Sequence, residues 1–170
     1  RDPDGGRACP PMTLKRILFV CTGNSCRSVM AEYLFRSLLQ RAGREAVEVE
    51  SAGVFAIGGM GPTRETQRVL QDIGVDCSAH RTRALAPEQV EAADLILVME
   101  QFQLDEVVHR FPNAKGKAHL LKRYGVDQPA AGQNLNIPDP IGKPLEVYEV
   151  CFAEIREAVE RLAKSLGART

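Results

Sequence analysis

A cysteine and an arginine, Cys21 and Arg27, stand at the two ends of a short turn rich in Gly, Asn and Ser. A cysteine thiolate is a nucleophile, and the planar guanidinium of arginine matches two oxygens of a phosphate. Gly23 and Asn24 tolerate unusual backbone angles, so the turn can aim successive N–H groups inward and form a nest for an anion. The spacing is therefore typical of a thiolate that attacks a bound phosphate group.

The flanking residues predict the elements that hold this turn in place. Residues 16–20 form a short apolar run with β-branched and aromatic side chains, which is typical of a buried strand. After the turn, apolar residues recur at helical spacing up to Gly43: Met30, Leu34, Leu38 and Leu39. We therefore expect Cys21 at the carboxyl end of a strand, where α/β sheets bind ligands, and a helix that begins near Ser28.

This setting favours the thiolate form of Cys21. The N-terminus of a helix carries positive partial charge, and the guanidinium of Arg27 adds a full charge. Ser28 can donate a hydrogen bond to the sulfur, both as thiolate and later as leaving group. The same residues also fit a buried cysteine at a strand end and an arginine on the surface. The strand, the Gly-Asn turn, the serine and the helix together favour the catalytic interpretation.

Beyond this turn, apolar runs typical of strands alternate with segments of helical spacing. Further strands are predicted over residues 47–51 and 95–99, with a weaker signal over 119–121. Helices are predicted over 63–73, closed by Gly74, and over 104–111, ended by Pro112. A long last helix is expected to bury one face: Val147, Val150, Cys151, Ile155, Val159, Leu162 and Leu166. Segments 52–62 and 122–138 are predicted loops. The alternation predicts an α/β fold with a parallel sheet covered on both sides.

Length and charge limit the classes of function. The 170 residues suit one domain, predicted over 14–170, with residues 1–13 as a disordered lead-in or a remnant of cloning and Met12 a plausible natural start. A formal net charge of zero gives no electrostatic reason to expect nucleic acid or an acidic membrane surface as partner. No apolar run is long enough to span a bilayer.

The cysteines and histidines predict neither a disulfide framework nor a metal site. The five cysteines are scattered: Cys9, Cys21, Cys26, Cys77 and Cys151. They contain no paired Cys-x-x-Cys, so we expect reduced thiols and a cytoplasmic protein. The three histidines, His80, His109 and His119, lie too far apart for a local metal signature.

The run from Val20 to Ser28, with the sequence VCTGNSCRS, is followed by Met30-Ala31-Glu32. Together with Ser51-Ala52-Gly53, His80, residues 93–99 and Asp139-Pro140, it resembles the low-molecular-weight protein tyrosine phosphatases. The resemblance covers nearly everything after Lys15. It implies a three-layer, flavodoxin-like fold with a four-stranded parallel sheet and helices on both faces. It also implies a phosphorylated protein substrate, a two-step phosphocysteine mechanism and no cofactor. We expect a monomer or a weak dimer. Val29 departs from the proline usual in the family, which only pre-sets a helix start.

The resemblance also assigns roles to individual residues. Asp139 matches the general acid, which protonates the leaving group and then activates water. Judged by its own residues, the Pro-Asp-Pro segment is equally an ordinary turn. The phosphate loop, residues 21–28, would bind the anion through six residues besides Cys21 and Arg27: Thr22, Gly23, Asn24, Ser25, Cys26 and Ser28.

Three residues match positions that brace the phosphate loop in the family: Asn24, Ser51 and His80. Without the resemblance, Ser51 also fits a turn residue at a strand end, and His80 a surface histidine. Cys26 fits either a small neutral turn residue or a resolving thiol that forms a disulfide with an oxidised Cys21.

Two other functions fit parts of this pattern. A thiol-based arsenate reductase shares the fold and the phosphate-loop residues, but it needs two further redox cysteines after the third strand. This chain has none between Cys77 and Cys151, so that function is disfavoured. A phosphate-binding module without turnover would not require Cys21, Arg27 and Asp139 together.

The residues expected around the leaving group differ from the tyrosine-specific pattern. The chain has Ser25 where family members that take phosphotyrosine carry a bulky aliphatic residue, and Ile57 and Ile141 at the wall positions where they carry aromatics. Ser25, Gly142 and the run 51–56 resemble a bacterial branch that hydrolyses protein phosphoarginine. The comparison leans towards phosphoarginine, and phosphotyrosine held by apolar contacts with Ile57 and Ile141 stays open.

Overall fold

The fold comes from a computed structural model, which describes residues 13–167. The lead-in predicted over residues 1–13, with Cys9 and Met12, therefore lies outside the described residues except for Thr13. Among the described helices, none combines the length and the apolar content that crossing a membrane requires.

The centre of the fold is a sheet of four parallel strands. They are β1 (Arg16–Cys21), β2 (Glu48–Gly53), β3 (Leu95–Val98) and β4 (Ala118–Leu120). Their order in the sheet is β2-β1-β3-β4, so β1 lies in the interior, with Val20 opposite Ala52 on one side and Val98 on the other. Strands covered on both faces need continuous apolar runs, which is why the sequence predicted β1 and β3 accurately.

Helices cover both faces of this sheet, as the sequence predicted. They are α1 (Arg27–Arg41), α2 (Arg64–Gln71), α3 (Pro87–Ala92), α4 (Gln101–Arg110) and α5 (Leu145–Ser165), and a short 3₁₀ turn spans Pro112–Ala114. Alternate residues of β1 enter different apolar clusters. Phe19 packs in the cluster that includes α1, α2 and α5, and Val20 packs in the cluster that includes α3 and α4.

Some element boundaries differ from the prediction. β2 runs on to Gly53 because Ala52 and Gly53 pair with Val20 and Cys21, whereas residues 52–62 were predicted as loop. The sequence did not predict α3, whose six residues bury only Val90 and so carry no helical period. α4 begins at Gln101 rather than at 104.

The buried face of α5 also differs from the prediction. Val147 and Val150, expected on that face, are 37% and 64% exposed. The buried stripe instead contains Tyr148, Cys151, Phe152, Ile155, Ala158, Val159, Leu162 and Ala163. A helix turns by about 100° per residue, so Val150 lies on the far side from this stripe and Val147 lies at its edge.

Candidate active site

The phosphate loop joins the end of β1 to the start of α1. Asn24 takes a left-handed conformation with φ of 57°, which asparagine tolerates better than most residues. Gly23, which was singled out for the same freedom, is absent from the positive-φ glycines of the described chain. The glycine that the turn requires is Gly53 in β2, because a Cβ there would lie 2.5 Å from the backbone oxygen of Thr22.

The sulfur of Cys21 lies at the base of this loop and is surrounded by donors. The Ser28 hydroxyl lies 2.9 Å from Cys21 Sγ, and the backbone N–H of Asn24 donates to the sulfur over 3.3 Å. Cys21 is buried, so these donors replace the solvation that a thiolate would have in water.

A chain of hydrogen bonds determines the direction in which Ser28 donates. The Oδ1 of Asn24 accepts from the Arg83 backbone N–H over 3.0 Å, so the amide Nδ2 faces Ser28 Oγ at 2.8 Å and Ser51 Oγ at 2.9 Å. Ser51 in turn donates its hydrogen to the buried carboxylate of Glu32 over 2.5 Å. Because Ser28 accepts from Asn24, its own hydrogen is left for the sulfur of Cys21.

His80 supports the same asparagine from the opposite side. Its Nε2 lies 2.9 Å from the backbone oxygen of Asn24, and a carbonyl only accepts, so Nε2 carries the hydrogen. The structure thus brings Asn24, Ser51 and His80 together beneath the phosphate loop. Glu32, which sequence reasoning missed, completes this group and pairs with Arg36 over 2.8 Å.

Arg27 is buried and held by groups from two other segments. Its Nη1 donates to Glu100 over 2.8 Å and to the backbone oxygen of Ile137 over 2.7 Å. Its Nη2 lies 3.5 Å from Asp139 Oδ2. Burial opposes the charge of Arg27, but the charge of Cys21, the hydrogen bond that Arg27 donates to Glu100 and the charge of Asp139 outweigh it and raise the pKa of Arg27.

One donor of Arg27 is left without a partner. Its Nε is a buried side-chain nitrogen with no hydrogen-bond acceptor in the described chain. Buried donors are almost always satisfied, and an unsatisfied one costs free energy. A phosphate oxygen above Cys21 would satisfy this nitrogen, so the donor set fits a bound oxyanion.

Asp139 reaches this site although it is 112 positions from Arg27 in the chain. The backbone N–H of Ile137 donates to the oxygen of Met99, just beyond β3, over 2.9 Å, which fixes the segment before Asp139. The Asp139 side chain is 38% exposed, and its Oδ1 accepts from the Ile141 N–H over 3.1 Å. Asp139 therefore stands at the mouth of the site, with Oδ2 towards Arg27.

Sequence reasoning missed two residues at the carboxyl end of β3. Glu100 binds Arg27, and the buried Gln103 donates from Nε2 to Thr22 Oγ1 over 3.0 Å. The Oε1 of Gln103 accepts from the N–H groups of Met99 and Glu100. Their place after an apolar strand was an available signal, because ligand sites in α/β sheets gather there.

The remaining predicted residues lie on the outer side of the phosphate loop. Ile57 and Ile141 are 74% and 55% exposed, and the structure records no polar or ring contact for either side chain. Ser25 Oγ lies 3.6 Å from Cys26 Sγ. The buried Cys26 also faces Tyr148 Oη at 3.5 Å. A Cys21–Cys26 disulfide stays a prediction.

The comparisons with known proteins agree with this fold and show the family. The sequence model of the low molecular weight phosphotyrosine protein phosphatases matches residues 16–170. A protein-arginine-phosphatase of Geobacillus stearothermophilus is 40% identical over 151 residues, which cover 89% of this chain and 95% of the relative. A low molecular weight protein-tyrosine-phosphatase of Acinetobacter johnsonii is 38% identical over 129 residues, covering 76% and 82% of the two chains.

A solved structure gives the same result in three dimensions. The YwlE arginine phosphatase, as a mutant with a phosphorylated active-site serine, superposes with a TM-score of 0.81 at 34% identity, covering 89% of this chain and 95% of that one. The fold and the site define a cysteine-based phosphatase. The chain belongs to the low molecular weight protein phosphatase family.

Proposed function

We propose that this phosphatase hydrolyses phosphoarginine side chains of proteins, with Cys21 as nucleophile and Asp139 as general acid and base. The thiolate of Cys21 attacks phosphorus, an S–P bond forms, and the P–N bond to the guanidino leaving group breaks. Asp139 gives its proton to that nitrogen. In the second step Asp139 takes a proton from water, which attacks the phosphocysteine and releases inorganic phosphate and the thiolate.

The observation that carries this proposal is the set of groups around Cys21 that suit a thiolate and an oxyanion. The sulfur accepts from Ser28 and Asn24. Arg27, whose charge interacts with that of Cys21, has a buried Nε without a partner in the described chain. Donors already fixed in place stabilise charge that develops on the transferred phosphoryl group without reorganising during the reaction. The remaining residues of the phosphate loop would also line the bound phosphate: Thr22, Gly23, Ser25 and Cys26.

The leaving group is the finer part of the proposal, and Ser25 supports it. A serine leaves more room beside the phosphate than a bulky aliphatic residue and offers a polar contact. Asp139, in its protonated form, would donate its proton to the bridging nitrogen as the P–N bond breaks, and the resulting carboxylate would pair with the guanidinium that leaves. The relative from Geobacillus stearothermophilus, a protein-arginine-phosphatase, also favours this substrate.

A second substrate, phosphotyrosine, is favoured by a different observation. Ile57 and Ile141 expose apolar surface at the mouth of the site, which would pack against a phenyl ring. The relative from Acinetobacter johnsonii is a tyrosine phosphatase. The two substrates call for opposite residues at position 25.

A comparison of phosphoarginine and phosphotyrosine peptides tests the proposal. We expect wild type to prefer phosphoarginine in kcat/KM. The substitution Ser25→Ile should lower phosphoarginine turnover and keep or raise phosphotyrosine turnover, whereas Ser25→Thr, which keeps the hydroxyl, should retain the preference. A wild-type preference for phosphotyrosine, or an equal loss on both substrates in Ser25→Ile, would contradict the phosphoarginine assignment.

We also place the enzyme in the cytosol. The cysteines of the described chain, Cys21, Cys26, Cys77 and Cys151, are free thiols, and a reducing compartment keeps them so. A nucleophilic cysteine requires the same condition, because oxidation of Cys21 would remove the thiolate.

A further inference from the structure

The segment between β2 and α2 borders the phosphate loop along its outer side. We call residues 55–62 the wall loop. At its start the Phe55 N–H donates to the oxygen of Thr22 over 3.0 Å, and just past its end the Thr63 N–H donates to the oxygen of Ser25 over 3.2 Å. The wall loop therefore spans the mouth of the site between two points that are fixed on the phosphate loop itself.

Few contacts restrain the apolar side chains of the wall loop, and the ring contact recorded for them in the described chain is that of Phe55, which has the Arg110 guanidinium 4.9 Å from its centroid. Phe55, Ile57 and Met60 are 60%, 74% and 57% exposed. The loop also contains three glycines, of which Gly59 has a positive φ of 87°. Apolar side chains this exposed gain little from packing, so their positions depend on the hydrogen bonds of the backbone that carries them.

Those hydrogen bonds converge on one buried residue, Thr82. Its backbone oxygen accepts from the Gly59 N–H over 2.8 Å, and its N–H donates to the oxygen of Met60 over 2.7 Å. Its hydroxyl donates to the oxygen of Ile57 and accepts from the Met60 N–H, the latter over 2.9 Å. Thr82 thus makes four hydrogen bonds to residues 57–60, and it is only 4% exposed.

The hydroxyl of Thr82 occupies the place of the hydrogen bond that would normally close a β-turn over residues 57–60. In a closed β-turn the oxygen of Ile57 would accept directly from the N–H of Met60. Here the hydroxyl is inserted between these two groups and satisfies both, because it is donor and acceptor at once. Among residues of this size only threonine and serine can do this, and valine, with the same shape, cannot.

The neighbours of Thr82 bind the centre of the phosphate loop. His80 contacts the backbone oxygen of Asn24, and the N–H of Arg83 donates to Asn24 Oδ1. Residues 80–83 therefore bind Asn24 through His80 and Arg83, and they bind the wall loop through Thr82. The two ends of the wall loop are bonded directly to the phosphate loop, and the position of its middle, residues 57–60, depends on this segment.

We propose that Thr82 is a positioning residue for substrate specificity, which sets the distance of Ile57 and Met60 from the phosphate above Cys21. The inference rests on the proposed phosphatase function but not on the choice between phosphoarginine and phosphotyrosine. The hydrogen bonds recorded for Thr82 all go to residues 57–60 and none goes to the phosphate loop. Thr82 acts on the part of the substrate that lies beyond the phosphate, through the backbone of residues 57–60.

The test compares Thr82→Val with Thr82→Ser on a phosphopeptide and on acetyl phosphate, whose small leaving group has no ring or side chain to contact the wall loop. In Thr82→Val we expect kcat/KM for the peptide to fall about tenfold, chiefly through KM, as for the loss of one or two net hydrogen bonds. Turnover of acetyl phosphate and inhibition by inorganic phosphate should change less than about twofold, since the groups that bind the phosphate are intact. Thr82→Ser should restore the peptide activity. Equal losses on both substrates, or unchanged peptide activity in Thr82→Val, would overturn the inference.

Ile57→Ala tests the same contact by removing the exposed wall side chain itself. Its peptide activity should fall by a similar factor, and adding Thr82→Val to it should cause little further loss, because both changes act on the same contact. Fully additive losses would contradict the proposed link between the two residues.

Amide exchange of the wild-type protein tests the contact without any substitution. The Met60 N–H should exchange much more slowly than the amides of exposed glycines such as Gly132, which has no close neighbour around its Cα. Fast exchange at Met60 would refute the contact itself. Absence of phosphatase activity in wild type would refute the proposed function instead, so the two failures are distinguishable.

Discussion

Beneath the phosphate loop, Asn24, Ser51 and His80 are buried and joined by hydrogen bonds, whereas on its outer side Ile57 and Ile141 are 74% and 55% exposed. In this inner region, beneath the phosphate loop, each hydrogen bond determines the direction of the next, from Glu32 to the sulfur of Cys21. The outer region offers apolar surface on loops and leaves its side chains unrestrained. Under the proposed function, phosphate transfer relies on buried, hydrogen-bonded groups, and recognition of the leaving group relies on exposed parts that can change at little cost to the fold.

The largest effect is expected from the nucleophile itself. Cys21→Ser should lower turnover of p-nitrophenyl phosphate by more than about 10⁴-fold, because a serine hydroxyl is not ionised here. Binding of inorganic phosphate should survive, since Arg27 and the loop N–H groups are unchanged. Vanadate should inhibit wild type and EDTA should not. Strong activity in Cys21→Ser, or loss of wild-type activity with EDTA, would contradict a thiolate mechanism.

The next largest effect is expected at the mouth of the site. Asp139→Asn should lower kcat by about 10²- to 10⁴-fold, the usual contribution of a general acid. The loss should be smaller for p-nitrophenyl phosphate, whose leaving group needs little protonation, than for a phosphopeptide. Equal losses on the two substrates would indicate that another residue is the acid.

A smaller effect is expected from reversing the hydrogen bonds of the inner region. Asn24→Asp keeps the shape and the Oδ1 acceptor but replaces the two donations to Ser28 and Ser51 with acceptance. Ser28 would then donate to the new carboxylate rather than to Cys21. We expect kcat to fall about 10- to 100-fold, the range for one hydrogen bond to a charged group.

The matched control for this change is Asn134→Asp in an exposed loop. Asn134 uses only Oδ1, which accepts from the Asn136 N–H, and aspartate keeps that acceptor. Its activity should equal that of wild type. If Asn24→Asp is equally active, the donor direction derived for Ser28 is wrong.

The smallest effects concern the cysteines away from the site. Burial raises the pKa of Cys77 to about 11 and that of Cys151 to about 12, and nearby carboxylates add to the shift. The thiolate fraction therefore stays below about one in a thousand at pH 7.5 and rises about tenfold per pH unit up to these values.

Iodoacetamide at pH 7.5 should therefore modify Cys21 and inactivate the enzyme before it modifies Cys77 or Cys151. Inorganic phosphate should protect Cys21 and leave the other two unaffected. The same shifts make the fold less stable as pH rises from about 9 to about 12, because the unfolded chain ionises these thiols first. Equal labelling of all three cysteines at pH 7.5 would show that the burial of Cys77 and Cys151 is wrong.

The sequence predicts the features that depend on neighbouring residues better than those that depend on residues far apart in the chain. β1 and β3 were predictable because β3 is apolar throughout and β1 is apolar after Arg16, and the phosphate loop because its chemistry lies within eight consecutive residues. The periodicity of α5 did not separate Val150 from Cys151, since both are apolar and only the packing decides which one is buried. α3 buries a single residue and left no pattern.

The residues that sequence reasoning missed act over long separations in the chain. Glu100 lies 73 positions from Arg27, and Thr82 lies 25 positions from Ile57. No local pattern marks a glutamate that orients an arginine or a threonine that bridges a turn. Asp139 would have been missed for the same reason without the family resemblance, since a Pro-Asp-Pro segment is a common turn.

The most direct test of the mechanism is to trap the covalent intermediate. Wild-type enzyme turning over p-nitrophenyl phosphate is quenched in acid and mapped by mass spectrometry. We expect one phosphoryl group on the peptide that contains Cys21, bound to its sulfur. More of it should accumulate in Asp139→Asn, because water is activated poorly in that variant. A phosphoryl group on another residue, or none under conditions of steady turnover, would contradict Cys21 as the nucleophile.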